Sequence, residues 1–157
     1  MPGKKLKVFI SYAHRDEEIK KDLDEHLFAL KQSELIEVWQ DRQIMPGDNW
    51  DELILSELRA ADIIILLIST AFLNSKYIWE KELAIAMERH KNKTTRIIPI
   101  MASSCDFSGM PFAGIQALPK NATPIDTFAV GGERAKVYTE IAKSIRQLVE
   151  FMNGNNP

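Results

Sequence analysis

The chain has 157 residues, 45% of them hydrophobic, so it is long enough to bury a core and too short for two ordinary domains. Its 20 Lys and Arg residues against 22 Asp and Glu residues give a net charge of −2 at pH 7, which provides no overall basic field for nucleic acid or an anionic membrane. The single cysteine, Cys105, excludes an internal disulfide and a cysteine-rich zinc site, and no apolar run is long enough to span a bilayer, so we expect one cytoplasmic domain over residues 1–157.

The first half of the chain alternates two predicted strands with two predicted helices. The first strand is predicted over Leu6 to Tyr12, which is apolar and β-branched, and a helical pattern of leucines follows over Asp16 to Lys31. The second strand is predicted over Leu35 to Trp39. The next helix is expected to begin at Asn49, because Asn49 and Glu52 have the spacing of a capping box.

The second half opens with the most apolar predicted strand, Asp62 to Ser69. It lacks polar alternation, which is typical of a central strand buried on both faces of a parallel sheet. A helical pattern over residues 75–90 begins with a capping serine, whereas residues 102–121 hold Gly, Pro and Ser and are expected to form a loop. The remaining predicted elements are the strand Arg96 to Met101, the weaker strand Pro124 to Phe128 and the helix Arg134 to Met152.

This alternation predicts an α/β fold of flavodoxin-like, three-layer type. Right-handed crossovers would give a five-stranded parallel sheet of order 2-1-3-4-5 with helices on both faces. In such a sheet, ligands bind at the carboxyl ends of the strands where the strand order reverses, here between strands one and three. The loops expected there are residues 11–15 and 69–76, with residues 40–48 alongside.

One carboxylate fits its helix badly. On a helical wheel, Glu82 shares a stripe with Ile78 and Ala86, among side chains that favour burial. Two interpretations stay open from periodicity alone. Glu82 is either a helix-edge residue whose carboxylate reaches water and pairs with Arg89 or Lys81, or a residue held at a functional site.

The motifs of several common functions are missing from the sequence. None of the seven glycines forms a G-x-G-x-x-G or Walker A loop, which argues against a Rossmann dinucleotide site or a P-loop. A response-regulator receiver domain needs a phosphorylatable Asp at the end of strand three, where this chain has Leu67, Ile68 and Ser69.

Three segments in order carry a resemblance to a known family. VFISYAHRDEE, VWQDRQIMPGDNW, and LLISTAFLNSKY with the KEL that follows it resemble a Toll/interleukin receptor (TIR) domain of the bacterial type, over about Lys5 to Met152. The resemblance implies the TIR fold and one of two functions. Some TIR domains are signalling scaffolds that assemble head to tail through the loop after strand two. Others cleave NAD, releasing nicotinamide and forming ADP-ribose or a cyclic variant.

The resemblance also implies a catalytic glutamate. Enzymes of the family carry a pattern like S-x-W/Y-x-x-x-x-E or S-x-W-x-x-x-E. Ser75, Tyr77 and Glu82 fit the first spacing, although many members have an aromatic residue at the position of Ile78. Glu80 is the neighbour that a shifted alignment would choose instead. Nicotinamide in NAD is already a cationic leaving group, so one carboxylate that stabilises charge on the ribose suffices and no general acid is needed.

Further candidate residues follow from the loops around this position. Arg15 is suited to a phosphate, Asp41 to a ribose hydroxyl and Trp50 to stacking, while the alternatives are an exposed arginine, a turn cap and a core residue. The substrate-binding candidates are Ser11, Ala13, Arg15, Asp41, Trp50, Tyr77, Ile78 and Trp79, and the candidate TIR–TIR interface is Arg42, Ile44, Met45, Pro46 and Gly47. We expect NAD as a substrate with no resident cofactor or metal. Other TIR domains and a sensor domain outside this chain are the expected protein partners.

Overall fold

The structure is a computed structural model that describes residues 4–40 and 46–154. Within these ranges the sheet has four parallel strands in the order β2-β1-β3-β4. The strands are β1 (Leu6–Ser11), β2 (Ile36–Val38), β3 (Ile63–Ile68) and β4 (Arg96–Met101). The α/β class and the first four strands of the predicted order 2-1-3-4-5 are therefore confirmed.

The helices alternate with the strands as predicted. They are α1 (Glu17–His26), α2 (Phe28–Gln32), α3 (Trp50–Ala60), α4 (Thr70–Asn74), α5 (Leu83–Lys91) and α6 (Gly132–Met152), and a π-helical turn, Ile78–Glu82, directly precedes α5. The predicted cap of α3 is confirmed, because the Asn49 side chain accepts a hydrogen bond from the Glu52 backbone N–H at 3.2 Å. The single helix predicted over Asp16 to Lys31 is instead two helices that meet at Leu27.

The pleat of the strands divides the core between the two faces of the sheet. Along β1, Val8 and Ile10 point into a cluster with leucines of α1 and α2 and isoleucines of α6, whereas Phe9 points into a second cluster with α3 and α5. All six residues of β3 are buried, which confirms the prediction of a central strand covered on both faces. None of the helices in the described ranges has the length and apolar character needed to cross a bilayer.

The predicted fifth strand over Pro124 to Phe128 is wrong. Ile125–Thr127 forms a 3-10 turn, and Ile125 is buried beneath α6 rather than paired with β4. The place beside β4 is taken by Leu118, whose N–H donates to the Pro99 carbonyl at 2.9 Å and whose carbonyl accepts from the Met101 N–H at 2.8 Å. The predicted segment begins with a proline, which has no N–H to donate to a strand ladder.

Tyr138 of α6 is a buried polar residue in the layer between α1 and α6. It is 2% exposed, its ring stacks on His26 with centroids 4.9 Å apart, and its hydroxyl has no hydrogen-bond partner among the described residues. Burial, with the negative charge of Asp22 nearby, raises the pKa of Tyr138 to about 12. Among the described residues, no hydrogen bond offsets the cost of burying this hydroxyl.

Tyr138→Phe is expected to leave the free energy of unfolding at pH 7 unchanged or to raise it by up to about 1 kcal/mol, because the variant removes an unpaired polar atom and creates no cavity. At alkaline pH the two proteins should separate further. A pKa raised from 10.0 to about 12 means that the folded state holds the proton more tightly, so the wild type loses stability as pH rises through that window. Urea unfolding at pH 7 and at several alkaline values measures both effects. A loss of more than about 1 kcal/mol at pH 7 would show that the hydroxyl is bonded.

Candidate functional site

The loops after β1 and β3 meet at the carboxyl edge of the sheet, and Glu82 is bonded there. Ser11, the last residue of β1, donates a hydrogen bond from its hydroxyl to Glu82 Oε1 at 2.6 Å. Ser11 is 1% exposed and Glu82 is 8% exposed. Glu82 is therefore not a helix-edge residue reaching water. Arg89, its expected partner in that interpretation, instead bonds backbone carbonyls of α3 and of the loop before β4.

A widened helical turn positions Glu82 beside the end of β1. The Ser75 hydroxyl accepts from the Ile78 N–H at 3.3 Å, which confirms the predicted capping serine. The Leu83 N–H then bonds the Ile78 carbonyl, five residues back, so the turn Ile78–Glu82 is π-helical. Within it both Ile78 and Glu82 are buried, Ile78 in the core and Glu82 against β1. Single π-helical turns inside α-helices occur frequently at functional sites.

An open cleft lies beside the Glu82 carboxylate. This cleft, here called the Glu82 cleft, measures about 190 Å³. The residues that line it are Phe9, Ile10, Tyr12, His14, Glu17, Ile54 and Glu82. The cleft follows the end of β1, where the observed sheet order reverses between β1 and β3, as the topology rule requires. A larger cavity of about 410 Å³ lies between Leu118–Lys120 and α6, and it is lined by none of the predicted site residues.

Trp50 and Tyr77 form an aromatic pair between α3 and the segment that precedes the π-helical turn. Their ring centroids are 5.3 Å apart, and the Tyr77 hydroxyl donates to Asp51 Oδ1 at 2.8 Å. Burial, the bond to Asp51 and the charges of Asp51 and Glu82 raise the pKa of Tyr77 above its ordinary range, so the phenol stays neutral at pH 7. Trp50 is 52% exposed, so its ring is open to solvent and is not a core residue.

The other substrate-binding candidates are more dispersed. Ala13 is buried in the cluster on the α3 and α5 face, and Arg15 is exposed in the turn His14–Asp16. Ile78 is a core residue. Trp79 is exposed and lies beside Leu73 and Met110 in a narrow recess separate from the Glu82 cleft.

The loop after β2 is described only in part. Pro46 and Gly47 are exposed, and Gly47 has φ +95°, a conformation that glycine adopts readily. Of the candidates in this loop, Asp41, Arg42, Ile44 and Met45 lie outside the described residues.

The structure also brings forward two residues that sequence reasoning missed. Asp16 is 7% exposed and accepts a hydrogen bond from the Ser69 hydroxyl at 2.5 Å. Asp16 lies within the VFISYAHRDEE segment, but hydrophobic periodicity says nothing about loop residues. The described residues contain no cluster of three or more His, Cys, Asp or Glu side chains arranged to hold a metal ion.

Comparison with known proteins assigns the family. The model of the TIR domain family matches residues 8–138, a range that includes Ser11, Asp16, Ser69 and Glu82. This chain belongs to the TIR domain family. It is also similar to the uncharacterized protein y4lF of Sinorhizobium fredii, with 34% identity over 140 residues that cover 89% of this chain and 42% of the relative. The TIR chain thus spans less than half the length of that relative.

Proposed function

We propose that this TIR domain is an NAD glycohydrolase in which Glu82 is the catalytic residue. The reaction breaks the bond between nicotinamide and ribose, and its products are nicotinamide and either ADP-ribose or a cyclic ADP-ribose variant. The observation that supports the proposal is the buried Glu82 carboxylate, held by Ser11 at 2.6 Å beside an open cleft at the switch point of the sheet.

The leaving group explains how one carboxylate would be enough. When the C–N bond breaks, both electrons go to the nicotinamide nitrogen, which was cationic and leaves neutral, so no proton has to be supplied. Positive charge develops on the ribose, and a fixed carboxylate nearby stabilises it. A water oxygen, which releases a proton to solvent, or a nucleophilic atom elsewhere in the ADP-ribose then attacks the same carbon. Burial strengthens the attraction between Glu82 and this charge because little water screens it.

Substrate contacts are assigned from what surrounds the cleft. At about 190 Å³ the Glu82 cleft is smaller than a typical pocket for a drug-sized ligand, so we place the nicotinamide riboside end there and the rest of NAD outside it. The exposed ring of Trp50, supported by Tyr77, offers a surface on which an aromatic ring can stack. Arg15 is the exposed cation of the neighbouring turn and is assigned to the phosphates.

Self-assembly with other TIR domains is the proposed means of activation. The turn at Pro46 and Gly47 after β2 is exposed and available for a head-to-tail contact. Such contacts form filaments when their rotation does not close a ring. We further propose a sensor domain outside residues 1–157, since the relative extends well beyond the region that aligns. The proposed location is cytoplasmic, where NAD would be available as a substrate.

A second function is a TIR scaffold without catalysis. The small volume of the Glu82 cleft favours this alternative, because many enzyme pockets enclose more of their substrate. In that case the exposed turn at Pro46 and Gly47 would serve homotypic binding alone.

One concentration series separates the two functions. Purified protein is incubated with NAD over a wide range of protein concentration, nicotinamide and the ribose products are separated by chromatography, and light scattering follows assembly. We expect nicotinamide release per molecule of protein to rise together with assembly. Assembly without nicotinamide release at any concentration would contradict the glycohydrolase and leave the scaffold, whereas release that is independent of concentration would contradict activation by assembly.

A further inference from the structure

A second carboxylate is buried at the same edge of the sheet as Glu82. Asp16 ends the 3-10 turn that follows β1, is 7% exposed and accepts from the Ser69 hydroxyl at 2.5 Å. Burying a carboxylate is costly unless it is hydrogen-bonded, so breaking this bond would leave an unfavourable buried charge. Asp16 does not line the Glu82 cleft, and its role must be exerted through other residues.

Asp16 joins the loop that follows β1 to the loop that follows β3. Ser69 follows β3 directly, and its hydroxyl also accepts from the Phe72 N–H at 3.0 Å, capping α4.

The Asp16–Ser69 bond positions one wall of the Glu82 cleft. The Asp16 N–H donates to the Ala13 carbonyl at 2.8 Å, closing the turn that carries His14 and Arg15. His14, which lies in this turn, and Glu17, which directly follows it, both line the Glu82 cleft. Glu82 has its own support in Ser11, a residue of the β1 ladder that does not depend on Asp16. Loss of the Asp16–Ser69 bond would therefore move the wall and leave the catalytic carboxylate in place.

We propose that Asp16 is a positioning residue that, through its bond to Ser69, holds the turn 13–17 where NAD binds. The inference rests on the proposed NAD glycohydrolase function and adds a residue to it. Asp16 would act on the affinity for NAD, whereas Glu82 would act in the chemical step.

Asp16→Ala and Ser69→Ala test the proposal by separating KM from kcat. A wall displaced by about 1 Å is expected to raise KM for NAD by about 10- to 100-fold, while kcat stays close to that of the wild type. Glu18→Ala, an exposed carboxylate of α1 outside the cleft, is the matched control and should change neither constant. A fall in kcat with unchanged KM, or wild-type values for both constants, would overturn the proposal.

The double variant guards against a purely structural effect. If the bond is the cause, Asp16→Ala with Ser69→Ala should raise KM no further than either single change, whereas independent losses of stability would combine. Ser69→Ala removes the hydroxyl that bonds Asp16 and caps α4, and it is the variant to rely on if Asp16→Ala fails to fold. An increase in KM equal to the product of the two single effects would overturn the proposal.

A binding measurement tells failure of this inference from failure of the proposed function. Calorimetric titration of NAD into Glu82→Gln, and into the same protein carrying Ser69→Ala, measures affinity without turnover. We expect the added change to weaken binding by the same factor as it raises KM. Equal affinity for NAD would overturn the positioning role alone, and absence of NAD binding and turnover in every protein would overturn the proposed function and this inference with it.

Discussion

Glu82→Gln is expected to lower kcat for nicotinamide release by about 10²- to 10³-fold, with little change in KM. The amide has the size of the carboxylate and can still accept the hydrogen bond from Ser11, so the site keeps its shape. What it loses is the negative charge that, in the proposed mechanism, stabilises the developing positive charge on the ribose. Steady-state rates at a concentration where the wild type is assembled measure the effect, and the melting temperature confirms that the variant is folded.

Glu80→Gln is the matched control for this experiment. Glu80 lies two residues away in the same π-helical turn, but it is exposed and faces Lys76, with 3.9 Å between Oε1 and Nζ. Its loss should leave the rate at the wild-type level, because an exposed ion pair contributes little. If Glu80→Gln lost activity and Glu82→Gln kept it, the catalytic assignment would move to Glu80. Wild-type rates in both variants would show that neither carboxylate takes part.

The sheet order could be predicted because its signals are local. The run Ile63–Ile68 has no polar residue, so it had to be a strand covered on both faces, and Asn49 marks the start of α3 by a spacing of three residues. The outer edge of β4 gave no such signal. There a single residue, Leu118, pairs with the strand. A periodic sequence pattern needs several residues, so it cannot reveal a pairing of one residue.

The candidate site was predictable in its centre and not in its surroundings. Glu82 stood out as a carboxylate on an apolar stripe, and the resemblance to TIR domains placed it at the position of the family's catalytic glutamate. Its bond to Ser11 joins residues that are 71 positions apart, so only the fold brings them together. The π-helical turn was also hidden, because a search with a period of 3.6 residues assumes the α-helix that this turn departs from.

Arg89 shows the same limit for a charged residue. Periodicity suggested a pairing with Glu82, whereas the structure aims the guanidinium at backbone oxygens. Nη1 donates to the carbonyls of Leu58 at 2.7 Å and Ala61 at 2.6 Å, and Nη2 donates to the Thr94 carbonyl. Arg89 therefore joins the end of α3 to the end of α5 and to the loop before β4. Helix ends leave carbonyls without partners inside the helix, which no side-chain pattern displays.

Arg89→Met is expected to lower the free energy of unfolding by about 2–3 kcal/mol, because Met replaces the apolar stem and removes the donors to three carbonyls. For a chain of this length the melting temperature should fall by about 5–10 °C. Urea and thermal unfolding followed by circular dichroism measure both quantities. Lys91→Met is the matched control, since Lys91 is an exposed cation in the same last turn of α5. An equal loss in the two variants would mean that Arg89 acts only as a positive charge at a helix end, whereas a loss confined to Arg89→Met assigns the stability to its hydrogen bonds with the carbonyls.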